Sequence, residues 1–468
     1  MVFLGFLPID EFYMYEFLRV WKWNNGSSPG FIMNYYDNNM GVGEDRISKL
    51  PDPLVRHMLS FLPTKCAVST SILSKRWKNV WVSIPVLDVL DMGPPRIILT
   101  GWRYYVEQAT IMETNKFMDH FMDRVLIQRN MLNIKKFCLN CENGYFDHKR
   151  VNAWITTAIK CEVEEFVFYG CGSCRSNDKM IPESLFTCES LTTLDFQFPE
   201  LYYRLELPES ISLPRLKILR LTNITYDDEK LARKLFSSCR VLEELCLTNC
   251  CWQLDLCVSA PRLKSFTVAN CMTSNMEDAK IKIDAPNLMS FTFCDWLPED
   301  LVVDSFPLLQ DADICFESES GVIDKRSGPL SKFIEKFCYI KFLKISGANF
   351  KVNFTGNGGA NVSTFKVVPH CLVVSLKSIE IQKFTGYLEM VNFVLKHGRV
   401  LQMVIIETYY SVDLMDRRYS YCVDPMDRLY NKKRYNKKNM EAKRVEALNK
   451  SSDDHLKKNS MGFTRLCH

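Results

Sequence analysis

The stretch Leu242-Glu243-Glu244-Leu245-Cys246-Leu247-Thr248-Asn249-Cys250 decides the fold. Leu245 and Leu247 stand two residues apart, so in an extended chain both side chains reach the same face, while Leu242 enters from the turn before them. The same spacing, apolar-x-x-apolar-x-apolar, recurs in both directions. Upstream it falls at Leu216/Leu219/Leu221, Leu191/Leu194/Phe196, Val163/Phe166/Phe168 and Ile134/Phe137/Leu139. Downstream it falls at Leu263/Phe266/Val268, Leu288/Phe291/Phe293, Leu309/Ala312/Ile314, Ile340/Leu343/Ile345, Leu376/Ile379/Ile381 and Leu401/Val404/Ile406. The hits follow one another at a mean interval of about 27 residues, and each reads as one short strand.

A strand at that interval, followed by a return such as Tyr226 to Cys239 with Leu231 and Leu235 on one helix face, is the pattern of a leucine-rich-repeat solenoid. The fold class is therefore α/β, with parallel strands lining a concave surface over residues 100–365. Alternation turns the residues between the motif positions outward: Arg220 and Thr222, then Glu244, Cys246 and Thr248, then Ser265, Thr267 and Ala269, then Ser290, Thr292 and Cys294. We place target binding on this row, with Arg220, Glu244, Thr267 and Thr292 as its marker residues, aided by the loop Phe350 to Phe365. Four strands about 4.8 Å apart present a patch roughly 15 Å across, which suits a loop or short segment of a protein.

The cysteines raise the question of zinc, because Cys138-x2-Cys141 and Cys171-x2-Cys174 are paired like ligands. Their separation is long for a zinc ribbon. The repeat accounts better for Cys171, Cys250 and Cys271, each eight positions after the first apolar residue of its hit, under the turn. Cys138 lies between Phe137 and Leu139 and is expected on the outer side of its strand. The expectation is structural cysteine, no metal and no cofactor.

The 468 residues are 47% hydrophobic and 24% charged, which excludes a wholly disordered or fibrous chain. The apolar runs are too short to span a bilayer, so no membrane is expected. Met1 to Ile9 is apolar, but acidic residues follow at once, a poor secretory signal that favours a cytoplasmic or nuclear location and reduced thiols. The formal charge is +4, yet residues 425–468 hold 12 Lys or Arg against 5 Asp or Glu, a surplus of +7. The rest is near −3, so nucleic acid is not expected as a partner of the body. The run Lys432 to Lys438 reads as a solvated tail over 409–468, ahead of an import signal. Catalytic motifs are lacking: Gly356-Asn357-Gly358-Gly359 has no strand, helix or Lys around it for phosphate, and the seven histidines are dispersed.

Residues 1–43 read as a poorly ordered extension, and 44–84 as a compact helical unit. Asp52 is a natural N-cap with Pro53 at the first helical position, and Leu54, Met58, Leu59 and Leu62 line one face up to Pro63. Thr64 can cap a second helix and Ser74 a third, carrying Trp77, Val80 and Trp81. So small a unit hides only part of its apolar surface and leaves the remainder for docking.

This unit resembles an F-box, through Asp45-Arg46-Ile47-Ser48, Leu50-Pro51-Asp52, Leu59-Ser60-Phe61-Leu62-Pro63-Thr64-Lys65, Ala67-Val68, Thr70-Ser71, Leu73-Ser74-Lys75-Arg76-Trp77 and Trp81. It is similar to the F-box of plant proteins that carry leucine-rich repeats and a C-terminal FBD region. Asp284-Ala285-Pro286-Asn287-Leu288 and Leu242 to Leu245 look like the family's repeat phrases. Residues 366–408, with Leu388, Val391 and Leu395 on one helix face and Gly398 as its C-cap, resemble the FBD and would cap the solenoid. The resemblance implies a three-helix F-box that docks on a Skp-type adaptor, and through it a cullin, through Leu50, Pro51, Leu54, Leu59, Val68, Leu73 and Trp77. About half of these, Trp77 and Leu59 first, are expected to be core instead. The implied role is a non-enzymatic substrate-recognition subunit of a ubiquitin ligase, the repeats holding an unknown target protein. A protein-binding scaffold outside any ligase is the alternative, and co-purification of the adaptor separates the two.

Overall fold

A computed structural model describes residues 50–90, 119–129, 133–142, 146–170, 180–199, 203–226, 229–252, 256–273, 281–294, 301–303, 306–316, 337, 339–347, 352–353, 363–364, 368–382, 394–408 and 431–436. The extension 1–43, Cys171, Cys174, the Gly356 to Gly359 run, most of the Phe350 to Phe365 loop, Leu388 and Val391 lie outside them. The chain divides into two compact units, Met1–Asn140 and Cys141–His468.

In the first unit, α1 (Asp52–Leu59) begins one residue earlier than expected. Pro51 is its N-cap, and Asp52 is its first residue. The Asp52 carboxylate is not a cap: it accepts hydrogen bonds from Arg76 Nε at 3.0 Å and Nη2 at 2.7 Å, and the same Nη2 donates to the Leu50 carbonyl. With Pro51 and Pro53 both lacking an N–H, the helix start has fewer orphan donors for a cap to satisfy. Helix α2 (Thr64–Ser69) likewise has Pro63 at its N-cap, which frees Thr64 Oγ1 to accept from the Asp88 amide at 2.8 Å. A 3-10 turn at Thr70–Ile72 follows, and the expected third helix, Trp77–Ser83, is also 3-10, its Trp77 amide donating to the Ser74 carbonyl at 3.1 Å. Val55, Leu59, Ala67, Trp77, Val80, Trp81 and Ile84 are buried.

Strand β1 (Val86–Val89) then pairs in parallel with β2 (Lys136–Asn140). Its Ile84/Leu87/Val89 triplet repeats the solenoid spacing and is buried, a twelfth hit next to the helical unit that the expectation left out. Cys138, expected outside, is 2% exposed. Residues 119–129 are helical, with Met122 and Val125 buried.

In the second unit, ten parallel strands follow one another in sequence order. They are β3 (Glu165–Tyr169), β4 (Thr193–Gln197), β5 (Ile218–Thr222), β6 (Glu244–Thr248), β7 (Ser265–Ala269), β8 (Ser290–Cys294), β9 (Asp311–Phe316), β10 (Phe342–Gly347), β11 (Ser378–Gln382) and β12 (Met403–Thr408). Register is continuous: Leu219, Leu245, Phe266, Phe291, Ala312, Leu343, Ile379 and Val404 stand side by side. All are buried, and Phe166 and Phe168 both pack edge-on against Phe196, in an interior continued by Phe266, Phe291, Phe293 and Phe306. The returns are α3 (His148–Lys160), α4 (Glu229–Ser238) and short strands such as Leu256–Ser259 and Ile281–Asp284, themselves parallel.

The turn after each central strand has a fixed chemistry. Asn223, Asn249 and Asn270, seven positions after the first leucine, have φ of 61°, 51° and 51°, the left-handed region that asparagine tolerates. One residue later, Cys250 Sγ donates to the Leu221 carbonyl at 3.3 Å and Cys271 Sγ to the Leu247 carbonyl at 3.5 Å. The thiol thus satisfies a buried carbonyl of the preceding repeat, which is why a small polarisable side chain occupies that slot. At the C-terminal end, Gly398 accepts no side chain: a Cβ would lie 2.7 Å from the Val394 carbonyl. Beyond it, residues 431–436, within the segment expected to be a disordered tail, form an antiparallel strand, β13 (Asn431–Asn436), on the edge of β12.

Candidate functional site

The first surface lies on the helical unit. Helical periodicity turns Val55 and Leu59 inward and leaves Leu54 and Met58 about half exposed on the other side of α1. Phe61 follows the helix at 75% exposure, its ring edge-on to His57 at 4.9 Å, and Leu62, Ile72 and Leu73 are also exposed. Of the seven residues expected to meet an adaptor, Pro51, Leu54 and Leu73 are exposed, and Leu50 and Val68 are half-buried. Leu59 and Trp77, at 3% and 7%, are core residues. Leu54, Met58, Leu59 and Leu62 therefore do not form one face. Met58, Phe61, Leu62 and Ile72 belong with the exposed set; the adjacent Phe61 and Leu62 after the end of a helix were the sequence signal for it. So large a group of exposed apolar side chains on so small a unit is a candidate docking face.

The second surface is the outward side of the sheet in the repeat unit. Register puts Asp195, Arg220, Cys246, Thr267, Thr292, Asp313, Lys344 and Glu380 in one row across β4 to β11. Arg220 Nε and Nη2 both lie 2.8 Å from Glu244 Oε1, and Nη1 lies 3.8 Å from Asp195 Oδ2. Asp195 is 7% exposed. Burial pushes its carboxyl above the usual range, against the lowering by the Gln197 hydrogen bond and by Arg220. A second pair, Lys344 Nζ to Asp313 Oδ2 at 2.7 Å, stands on the far side of the neutral strip of Thr267 and Thr292. The four residues singled out from sequence do share this face, and Arg220 and Glu244 are joined in one ion pair. Asp195, Asp313, Lys344 and Glu380 were not singled out, although each sits at the middle outward position of its own strand.

Among the described residues no group of three or more His, Cys, Asp or Glu is arranged to hold a metal ion. No described helix is long and apolar enough to cross a membrane.

Comparison with known proteins matches both segments to families. Residues 47–88 match the F-box domain family, and residues 151–311 match the family described as FBD-associated F-box protein At5g56370, LRR repeats. An F-box/FBD/LRR-repeat protein of Arabidopsis thaliana is 33% identical over 277 residues, 58% of this chain and 51% of that protein. An F-box/LRR-repeat protein of the same plant is 32% identical over 275 residues, 58% of this chain and 67% of the relative. An Arabidopsis F-box protein is 32% identical over 299 residues, covering 62% and 59%. The matched stretch thus spans about half to two thirds of these relatives. With an apolar helical unit at 47–88 and a parallel repeat sheet after it, the chain belongs to the plant F-box/leucine-rich-repeat family associated with the FBD region.

Proposed function

We propose that the protein is the substrate-recognition subunit of a Skp-cullin-F-box ubiquitin ligase. The observation that carries the reading is the exposed group Leu54, Met58, Phe61, Leu62, Ile72 and Leu73 inside the segment that matches the F-box family. Its occupant is a Skp-type adaptor, with Pro51, Leu50 and Val68 at the margin of the contact. The chain does no bond chemistry in this role. Binding a target to the same polypeptide that binds the adaptor makes their encounter with the ligase intramolecular and raises the effective concentration of target at the ubiquitin-charged partner.

The target site is the outward face of the repeat sheet around Arg220, Glu244, Thr267 and Thr292. Small side chains on β7 and β8 let a target backbone approach, and the ion pairs on either side set its polarity. Domain limits follow: the F-box at 44–84, repeats over 100–365 and an FBD-like cap at 366–408. The full chain, mixed with a purified Skp-type adaptor in a calorimeter, is expected to form a one-to-one complex. No heat and no co-elution would remove the ligase reading. Once a target is known, Thr267→Arg with Thr292→Arg is expected to abolish its capture while leaving adaptor binding unchanged. Retained capture places the target elsewhere.

A further inference from the structure

Among the described strand registers one aligns two cysteines: Cys294 on β8 stands directly beside Cys315 on β9. Both are in the thiol form and half-buried, on the outward side of the sheet, since their strand neighbours Phe293 and Ile314 fill the interior. The row they share runs Ala269, Cys294, Cys315 and Ser346, so their lateral neighbours are small. Parallel neighbours lie about 4.8 Å apart, inside the Cα separation that a disulfide spans. The Cβ atoms of such neighbours lie about as far apart as the strands, slightly wider than a relaxed disulfide prefers, so closure draws the strands together. Cys294 is the last residue of its strand and Cys315 the last but one, which gives the backbone room to yield.

We infer that Cys294 and Cys315 form a reversible redox pair on the outward face of the repeats. The oxidant is a low-molecular-weight disulfide such as oxidised glutathione. The Cys294 thiolate attacks one glutathione sulfur, forming a mixed disulfide and releasing one glutathione. The Cys315 thiolate then attacks the Cys294 sulfur and releases the second. Two thiols lose two electrons, the glutathione disulfide gains them, and both protons end on the released glutathiones. Either cysteine serves as the first nucleophile with the same balance. The strain of the lateral geometry makes the bond easily reduced, so the pair is a labile link rather than a structural staple.

The other described thiols differ. Cys250 and Cys271 are buried donors to carbonyls, and burial pushes the Cys239 thiol up to about 12. Cys246 shares the outward face, but its lateral neighbours are Arg220 and Thr267, so it is the internal control.

The full chain is equilibrated with mixtures of oxidised and reduced glutathione, blocked with an alkylating agent and digested without reduction. The expected product is a peptide pair joined through Cys294 and Cys315 that disappears in excess reduced glutathione. Cys294→Ser and Cys315→Ser should each abolish the joined pair and leave a glutathione adduct on the remaining thiol, with circular dichroism as for the parent. Cys246→Ser should leave the joined pair unchanged. Glutathione adducts on both positions without a joined pair, or a joined pair involving other cysteines in its place, overturn the inference.

Discussion

The helical unit and the repeat unit handle apolar side chains in opposite ways. In the repeats, the motif positions with described side chains are buried in every strand, because each strand's inward face is covered by the neighbouring strands and by the return beneath it. The helical unit has too few residues to do the same, and it leaves Leu54, Phe61 and Leu73 in water. The lesson is that an apolar residue has a different meaning in each. In the repeats it is stability; in the helical unit the exposed ones add little to the core and, in the proposed function, serve adaptor binding.

The largest expected effect tests the first half of that comparison. Phe291, fully buried against Phe266, Phe293 and Phe306, should cost about 3–5 kcal/mol when cut to alanine, read as a lowered urea midpoint of the repeat unit. Adaptor binding should be unaffected. The second half predicts the reverse pattern: Leu54→Ala with Leu73→Ala should weaken adaptor binding by about 2–4 kcal/mol in a calorimeter while circular dichroism and the melting curve stay as they were. If that double change destabilises the fold as much as Phe291→Ala, the distinction between the units collapses. The smallest effect sharpens the turn chemistry. Asn270→Ala should cost about 1 kcal/mol, because alanine lacks asparagine's tolerance of a φ of 51°, whereas Asn270→Gly should be close to neutral by chemical denaturation. Equal losses for both would mean that the amide side chain, rather than the backbone angle, is what the turn requires.

How much of this was legible follows from where burial repeats. Each of the eleven apolar triplets coincides with a strand, since stacking buries the same positions from repeat to repeat wherever their side chains are described, and the sequence must answer at the same spacing. Cys250 and Cys271 were legible for the same reason. The antiparallel strand Asn431–Asn436 was not: its residues, NKKRYN, carry no apolar alternation to announce a strand. The Asp52 cap failed because the Leu54 and Val55 amides it would have served donate to the Pro51 carbonyl, and Arg76, twenty-four positions away, captured the carboxylate. On the candidate surfaces, sequence named the exposed Leu54 and Leu73 and set Leu59 and Trp77 apart as core, but it put Leu59 on one face with Leu54, Met58 and Leu62, because apolar character does not say which side of a short helix faces a core. The charged row from Asp195 to Glu380 needs register, which joins residues far apart in the chain.

The thiol and amide bonds of the turns reach back by a single repeat: Cys250 to Leu221, Cys271 to Leu247, Asn223 to Phe198. Nothing in that rule refers to how many repeats come before or after. Duplicating or deleting one whole repeat leaves every remaining bond with an equivalent partner, whereas inserting a single residue inside a strand reverses its inward and outward faces. Gene lineages built on this architecture are therefore free to vary in length by quanta of one repeat, gaining or losing a strip of recognition surface each time without reinventing the interior.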